Sequence, residues 1–290
     1  MLAFFGTSHH SAMFLTLVLE KGLKVNLVVS CPPKKVGKKQ ILTKNPTVSL
    51  AKEKNIPFIT DLKELSNYKD LLIGVILDFN KIIPLETINL FPKGIINIHF
   101  SKLPQYRGAS PVQYTILNGD KEAWISYYLI DEKLDTGKVL TQTSLALTLL
   151  ENTEILYQKL IQKASGEISG VLENYLSNKI APKKQEGIST LTKKLKTENC
   201  KIDWSKPPKE IDQLIRAAYP EPGAWSEIVL SLPAGKAGIK YQVLRKRLKV
   251  LKAHLENDKL VLDIVQLEGK KPVTWKQFLQ GYPQSLLACP

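Results

Sequence analysis

In the first half of the chain, short apolar runs alternate with segments of helical period, and this alternation limits the fold more than any other feature. Leu2 to Phe5 reads as a strand, Ser11 to Glu20 as a helix with Gly22 beyond its end, and Val25 to Val29 as a second strand, which together make one βαβ unit. The series goes on with Phe58 to Thr60, then with Leu71 to Leu77, an apolar run of the kind buried on both faces of a sheet. Ile95 to Ile98, Ala123 to Leu129 and Val139 to Ser144 are further strands. Asn45 before Pro46 forms a cap and first turn for a helix through Lys54, and Asp61 can cap the segment after it. Short helices are predicted at Pro84 and over Pro111 to Asn118, closed by Gly119, and a long amphipathic one from Thr153 to about Ser177. The expected class is α/β with a parallel-rich sheet.

After Lys179 the pattern changes. Residues 181 to 204 are polar, mostly basic and poorly periodic, which suits a linker. A helix at Pro208 to Ala218 precedes the β-type runs Ser226 to Leu230, Gln242 to Leu244, Leu248 to Ala253 and Leu260 to Val265, a spacing that predicts a small OB-like barrel. The expected division is therefore an α/β domain over 1–182, a basic linker over 183–204 and a small β domain over 205–290.

Composition narrows the partners. With 43% hydrophobic and 23% charged residues the chain is an ordinary globular protein, and its longest apolar run is far below a membrane span. The start flows straight into the first strand with no basic region or cleavage pattern, so a cytoplasmic protein is expected. Cys31, Cys200 and Cys289 are scattered without metal or redox spacing. The net charge of +14 points to a polyanionic partner, although a lysine-rich surface serves solubility equally well. From Leu191 onward there are 18 Lys and Arg against 10 Asp and Glu, with Arg245 and Arg247 in a basic run interleaved with apolar residues. The long loop Cys31 to Asn45 adds lysines at 34, 35, 38, 39 and 44, candidates for contacting an anion.

The stretch from Gly94 to Asp120 switches from apolar strand to polar loop. If the chain stays extended to Ser101, then Asn97, His99 and Ser101 point to one side. No phosphate-binding glycine fingerprint follows the first strand; Gly6 serves as a tight turn or as a ligand's approach to the backbone. A Ser/His/Asp hydrolase from Ser101, His99 and Asp135 is poorly supported, because the serine lacks its elbow and sits too near the histidine. His9, His10 and His254 read as surface or packing histidines. Asn97, His99 and Asp135 can instead lie together beyond the carboxyl ends of the strands. An imidazolium and an amide would donate to an oxygen that turns negative, while the carboxylate orients the ring and helps remove a proton from an attacking amine. A structural histidine at a strand end is the competing reading.

The segments NIHFSKLPQYRGASPVQ (97 to 113) and LDTGKVL (134 to 140) resemble the active-site signature of the folate-dependent formyltransferases. The likeness extends through FFGT near the start, KIDWSKP (201 to 207), IRAAYPEPGAW (215 to 225) and VQLEGKKPVTWKQFL (265 to 279), so it covers nearly the whole chain. It implies a Rossmann-like formyltransferase domain followed by an OB-like domain, with Asn97, His99 and Asp135 in the places of the catalytic trio. The implied reaction carries a formyl group from 10-formyltetrahydrofolate to the amino group of methionine esterified to initiator tRNA, by a monomer and without a metal. Ser101, Leu103 and Pro104, with Asp78, Phe79, Asn80 and Leu134, are then expected on the donor side, and Lys34, Lys35, Lys38, Lys39, Lys193, Lys194, Arg245 and Arg247 on the tRNA side. Arg107 and Gly108 would hold the loop or line the entrance. Four departures stand out: Phe100 for a small residue, Asp78-Phe79-Asn80 for alanine-tyrosine-glycine, Ser8 for a proline and Glu221 for a tryptophan. Two rival readings keep the fold: an acceptor that is an amino sugar or purine precursor, and a catalytically silent tRNA-binding protein.

Overall fold

Residues that are apolar on both faces of a strand need cover on both sides, and the first strand, β1 (Leu2–Phe5), finds it inside a seven-stranded sheet. The computed structural model describes residues 1–36, 41–43, 45–233, 241–283 and 286–287. After β1 come α1 (His9–Glu20), β2 (Leu27–Val29), a hairpin of β3 (Lys34–Val36) and β4 (Ile41–Thr43), α2 (Pro46–Glu53), β5 (Phe58–Ile59) and β6 (Ile73–Ile76). Then follow α3 (Leu85–Ile88), β7 (Ile95–His99), β8 (Arg107–Gly108), α4 (Pro111–Leu117), β9 (Glu122–Leu129), β10 (Val139–Ala146), α5 (Thr153–Leu176) and β11 (Leu191–Thr192).

The sheet order is β10-β9-β7-β6-β1-β2-β5. From β7 to β5 every pairing is parallel, and β9 and β10 add antiparallel strands at one edge, as a parallel-rich α/β domain requires. Chain order reverses between β1 and β6, and a crevice beyond the carboxyl ends of such strands is where open sheets bind ligands.

Local chemistry fixes the helix starts. Ser8, in place of the proline noted above, caps α1 in a reciprocal box with Ser11, whose hydroxyl also donates to the Leu77 carbonyl at 2.7 Å. Asn45 accepts from the amides of Thr47 and Val48 with Pro46 behind it, and Asp61 caps a 3₁₀ turn over Leu62–Asn67.

The segment Cys31 to Asn45 departs from its reading as plain loop, because its strands β3 and β4 pair in register Lys34 to Thr43. Residues 181–204 depart further. Lys183 bonds to Val139 in both directions, and β11 pairs in parallel with β8, so the chain up to Thr192 is tied into the first unit.

The second part contains α6 (Pro208–Ala218), β12 (Ala224–Pro233), β13 (Tyr241–Glu256), β14 (Lys259–Leu267), β15 (Val273–Thr274), α7 (Trp275–Gly281) and β16 (Leu286–Leu287). Its antiparallel sheet runs β15-β14-β13-β12-β16. Ile211, Ile215 and Ala218 form the apolar stripe of α6 and join Ile228, Leu248, Val250, Val265 and Phe278 in one core. The two expected strands Gln242 to Leu244 and Leu248 to Ala253 are one long strand, in which the charged run Arg245 to Arg247 stays extended and exposed. Its pairing with β14 shifts around Lys252, the kind of irregularity that bends a sheet.

The chain divides into two compact units. The first comprises Met1–Pro111, Glu122–Ala146 and Tyr157–Thr192, and the second Val112–Lys121, Leu147–Leu156 and Lys193–Pro290. Cys31 and Cys200 are buried free thiols, and among the described residues no helix is long and apolar enough to cross a membrane.

Candidate active site

Strand β7 ends where its side chains turn from core to crevice. Asn97 and His99 lie two residues apart on the same face, as strand alternation dictates. The chain leaves the strand after His99, so Ser101 does not share their wall. Its side chain is fully buried and donates to the Gln105 carbonyl at 2.6 Å, while its own carbonyl accepts from Ser126. Leu103 and Pro104 are buried with it, the Leu103 amide donating to the Ser126 hydroxyl. These three, expected on the donor side, shape the loop after β7 and are not in the described lining of the two cavities beside the trio.

Asp135 arrives from the loop between β9 and β10. Asp131 folds that loop by accepting from the Lys133 amide and the Thr136 hydroxyl, and the Leu129 amide donates to Lys138 at 2.9 Å to close it. At Gly137 the strand comes back so near that an added Cβ would lie 1.7 Å from the Leu129 carbonyl oxygen. Only glycine permits that approach.

The trio is brought together, though not by the contacts the sequence implied. Asp135 receives a hydrogen bond on each carboxylate oxygen, from the Tyr128 hydroxyl at 2.6 Å and the Gly108 amide at 2.7 Å. The His99 Nδ1 lies 3.8 Å from the carboxylate, an ion-pair distance beyond hydrogen-bond reach. The ring is oriented instead by its Nε2, which must be the donor toward the Tyr106 carbonyl at 3.0 Å, because a carbonyl can only accept. That leaves the Nδ1 edge of the imidazole for the crevice. Asn97 donates through Nδ2 to the Tyr128 hydroxyl at 2.9 Å. Burial, and then the neighbouring Asp135 charge, push the Tyr128 phenol well above its ordinary pKa, so it stays a neutral donor.

A cavity of about 300 Å³ is lined by Asn97, His99, Asp135 and Gly108 together with Asp78, Phe79, Asn80, Phe100, Leu134 and Tyr157. A second, of about 160 Å³, is lined by Asn97, Asp135, Phe79 and Leu134 with Ile83, Tyr128, Ile130 and the loop 131–133. The expected donor-side residues Asp78, Phe79, Asn80 and Leu134 thus do meet the trio. Phe100 is buried and packs edge-on against Tyr157, so its bulk forms part of the wall. His10 stacks on the same Tyr157 ring at 4.2 Å.

Sequence reasoning missed Tyr128, Tyr157 and Gln185. Gln185, in the stretch taken for linker, donates to the carbonyls of Asp135 and Gly137 and accepts from Arg107 at 2.6 Å, so Arg107 acts as a loop anchor. The signal for Tyr128 was its place opposite Asn97, visible only once the β7–β9 register is known.

The basic candidates fall into three groups. Lys193, Lys194, Arg245 and Arg247 are exposed, and the Arg247 guanidinium lies 4.1 Å over the Trp225 ring. Lys34 and Lys35 are in β3, of which only the backbone is described, and Lys38 and Lys39 lie outside the described residues.

Comparison with known proteins places the chain in a family. The family model "Formyl transferase" matches residues 1–172, and "Formyl transferase, C-terminal domain" matches 194–261. A methionyl-tRNA formyltransferase of Geotalea uraniireducens is 31% identical over 304 residues, covering 99% of this chain and 97% of its own. Among solved structures, the methionyl-tRNA formyltransferase from Clostridium thermocellum matches with a TM-score of 0.61 at 21% identity, covering 92% of this chain and 97% of the other. An N-formyltransferase from Helicobacter canadensis, in complex with folinic acid and dTDP-3-aminofucose, matches with 0.60 at 20% identity, covering 94% and 98%. With one family model on each side of residue 193 and an Asn–His–Asp cavity at the strand ends, this chain belongs to the formyl transferase family.

Proposed function

We propose that the chain transfers the formyl group of 10-formyltetrahydrofolate to the α-amino group of methionine carried by initiator tRNA. The observation that carries this reading is the cavity in which Asn97, His99 and Asp135 meet, whose described lining holds no Ser, Thr, Cys or Lys to act as a nucleophile. Formyl transfer needs none, because the acceptor amine attacks directly.

The neutral amine adds to the formyl carbon as the carbonyl electrons move onto oxygen. The second Nδ2 proton of Asn97 and an Nδ1 proton on His99 would meet that oxyanion, in a site where preorganised donors count for more than in water. Asp135 would take the proton from the new ammonium. The bond from carbon to the folate nitrogen then breaks, and a proton returns to that nitrogen as tetrahydrofolate leaves. The apolar walls of the smaller cavity, Phe79, Ile83 and Ile130, fit a flat ring, with the 131–135 loop at its edge.

The choice of acceptor rests on the full-length relatives named for methionyl-tRNA, since the fold likeness is equally good to an enzyme whose structure holds a nucleotide sugar amine. An assay supplying methionyl-tRNA and a dTDP-amino sugar together, with 10-formyltetrahydrofolate, separates the two. Formyl-methionyl-tRNA is the expected product, lost by at least a hundredfold in Asn97→Ala. Formylation of the sugar amine alone would overturn the assignment.

A further inference from the structure

We propose that Tyr128 is a positioning residue that couples all three members of the trio; this rests on the formyl-transfer reading and adds to it a residue outside the signature. The tyrosine is 2% exposed, and its strand register sets it directly opposite Asn97. Its hydroxyl lies between Asn97 Nδ2 at 2.9 Å and Asp135 Oδ1 at 2.6 Å, and its ring meets the His99 ring edge to face with centroids 6.5 Å apart. One side chain thus reaches all three members of the trio.

The direction of each hydrogen bond follows from its partners. A carboxylate has no proton to give, so the phenol must donate to Asp135. Having one proton only, the phenol oxygen then accepts from Asn97. The amide is thereby locked with its nitrogen toward Tyr128, which uses one N–H and fixes where the second one points. A chain from amide through phenol to carboxylate polarises along its length, so the charge on Asp135 strengthens the hold on Asn97. When Asp135 accepts a proton late in the reaction, that hold weakens as the oxyanion collapses.

Replacing the hydroxyl alone separates this role from packing. Tyr128→Phe keeps the ring against His99 but frees the Asn97 amide to rotate and leaves the Asp135 carboxylate with the Gly108 amide as its hydrogen-bond donor, beside the more distant His99. The expected result is a fall in kcat of roughly tenfold to a hundredfold, with KM for donor and acceptor within about threefold of the original. In a cycle with Asn97→Ala, the two losses should combine to much less than their product, because both act through one amide. Melting temperatures of all variants check folding; should the Phe variant not fold, Tyr128→Leu takes its place in the cycle, where the combined loss with Asn97→Ala is the deciding readout because the Leu variant's own kcat also reflects the missing ring.

The rates are measured with whichever acceptor the unaltered protein formylates. A wrong acceptor therefore sinks the functional reading while the test of Tyr128 stands. An unchanged kcat, a loss confined to KM, or losses that multiply fully would overturn the proposal.

Discussion

Asp135 has a φ of 54°, a left-handed conformation that costs a non-glycine residue about 1 kcal/mol and that aspartate tolerates better than most. The site holds it there from outside. Gly108, itself at φ 109°, presents its amide to the carboxylate, and Gly137 lets the chain return against Leu129. This makes Gly137 a position in the loop that tolerates no side chain. A Cβ there overlaps the Leu129 carbonyl, so Gly137→Ala must push the loop outward by an ångström or more. A displacement of about 1 Å in reacting groups can cost on the order of a hundredfold in rate. Gly137→Ala should therefore lower kcat by about that factor and also lower the melting temperature, through the lost Leu129–Lys138 bond. Steady-state kinetics paired with calorimetry check it, and near-normal kcat in a destabilised protein would show that the loop's closure is not coupled to catalysis.

The segment 183–192 is the element whose role is least apparent in the sequence. It runs past three pieces of the site: Gln185 grips the Asp135 loop and Arg107, Thr190 bonds to Tyr106 and Arg107, and Thr192 bonds to Arg107 and Ser110. Gln185→Glu tests this element with minimal change of shape. The carboxylate can still accept from Arg107, but it cannot donate to the carbonyls of Asp135 and Gly137. In a half-buried position two lost donors cost roughly 1–2 kcal/mol of loop order, so kcat should fall about tenfold, and Gln185→Ala should fall no further. A wild-type rate in Gln185→Glu would make Arg107 the only anchor that matters.

What could be read in advance follows a physical line. The strands and helices of the sheet showed themselves because their apolar period and caps are local, as in Leu2–Phe5, the Asn45–Pro46 start and the α6 stripe. Asn97, His99 and Asp135 were legible through motif and alternation. Gln185 and Tyr128 were not, because their hydrogen bonds join residues 50 and 31 positions away and leave no periodic trace. Ser101 was misplaced because alternation was carried two residues beyond the end of β7.

At the scale of the whole molecule the governing quantity is charge. An excess of 14 positive charges draws a polyanion whatever the contacts, so affinity alone cannot tell a specific tRNA surface from a lysine-rich coat. Salt dependence can. Each phosphate neutralised by a Lys or Arg adds roughly 0.7 to 0.9 to the slope of log affinity against log salt. Lys193, Lys194, Arg245 and Arg247 are all exposed, so replacing the four with glutamine removes charge without emptying a core. If all four meet phosphates, the slope for initiator tRNA should become shallower by about 3. Arg247 also lies over Trp225, so its loss could act through packing in the second unit rather than through phosphate. A variant with Lys at 245 and 247 distinguishes these causes: it restores charge but not the planar stacking group, and should recover the slope. Should the fourfold variant keep the original slope, these residues form a solvated surface and phosphate is met elsewhere.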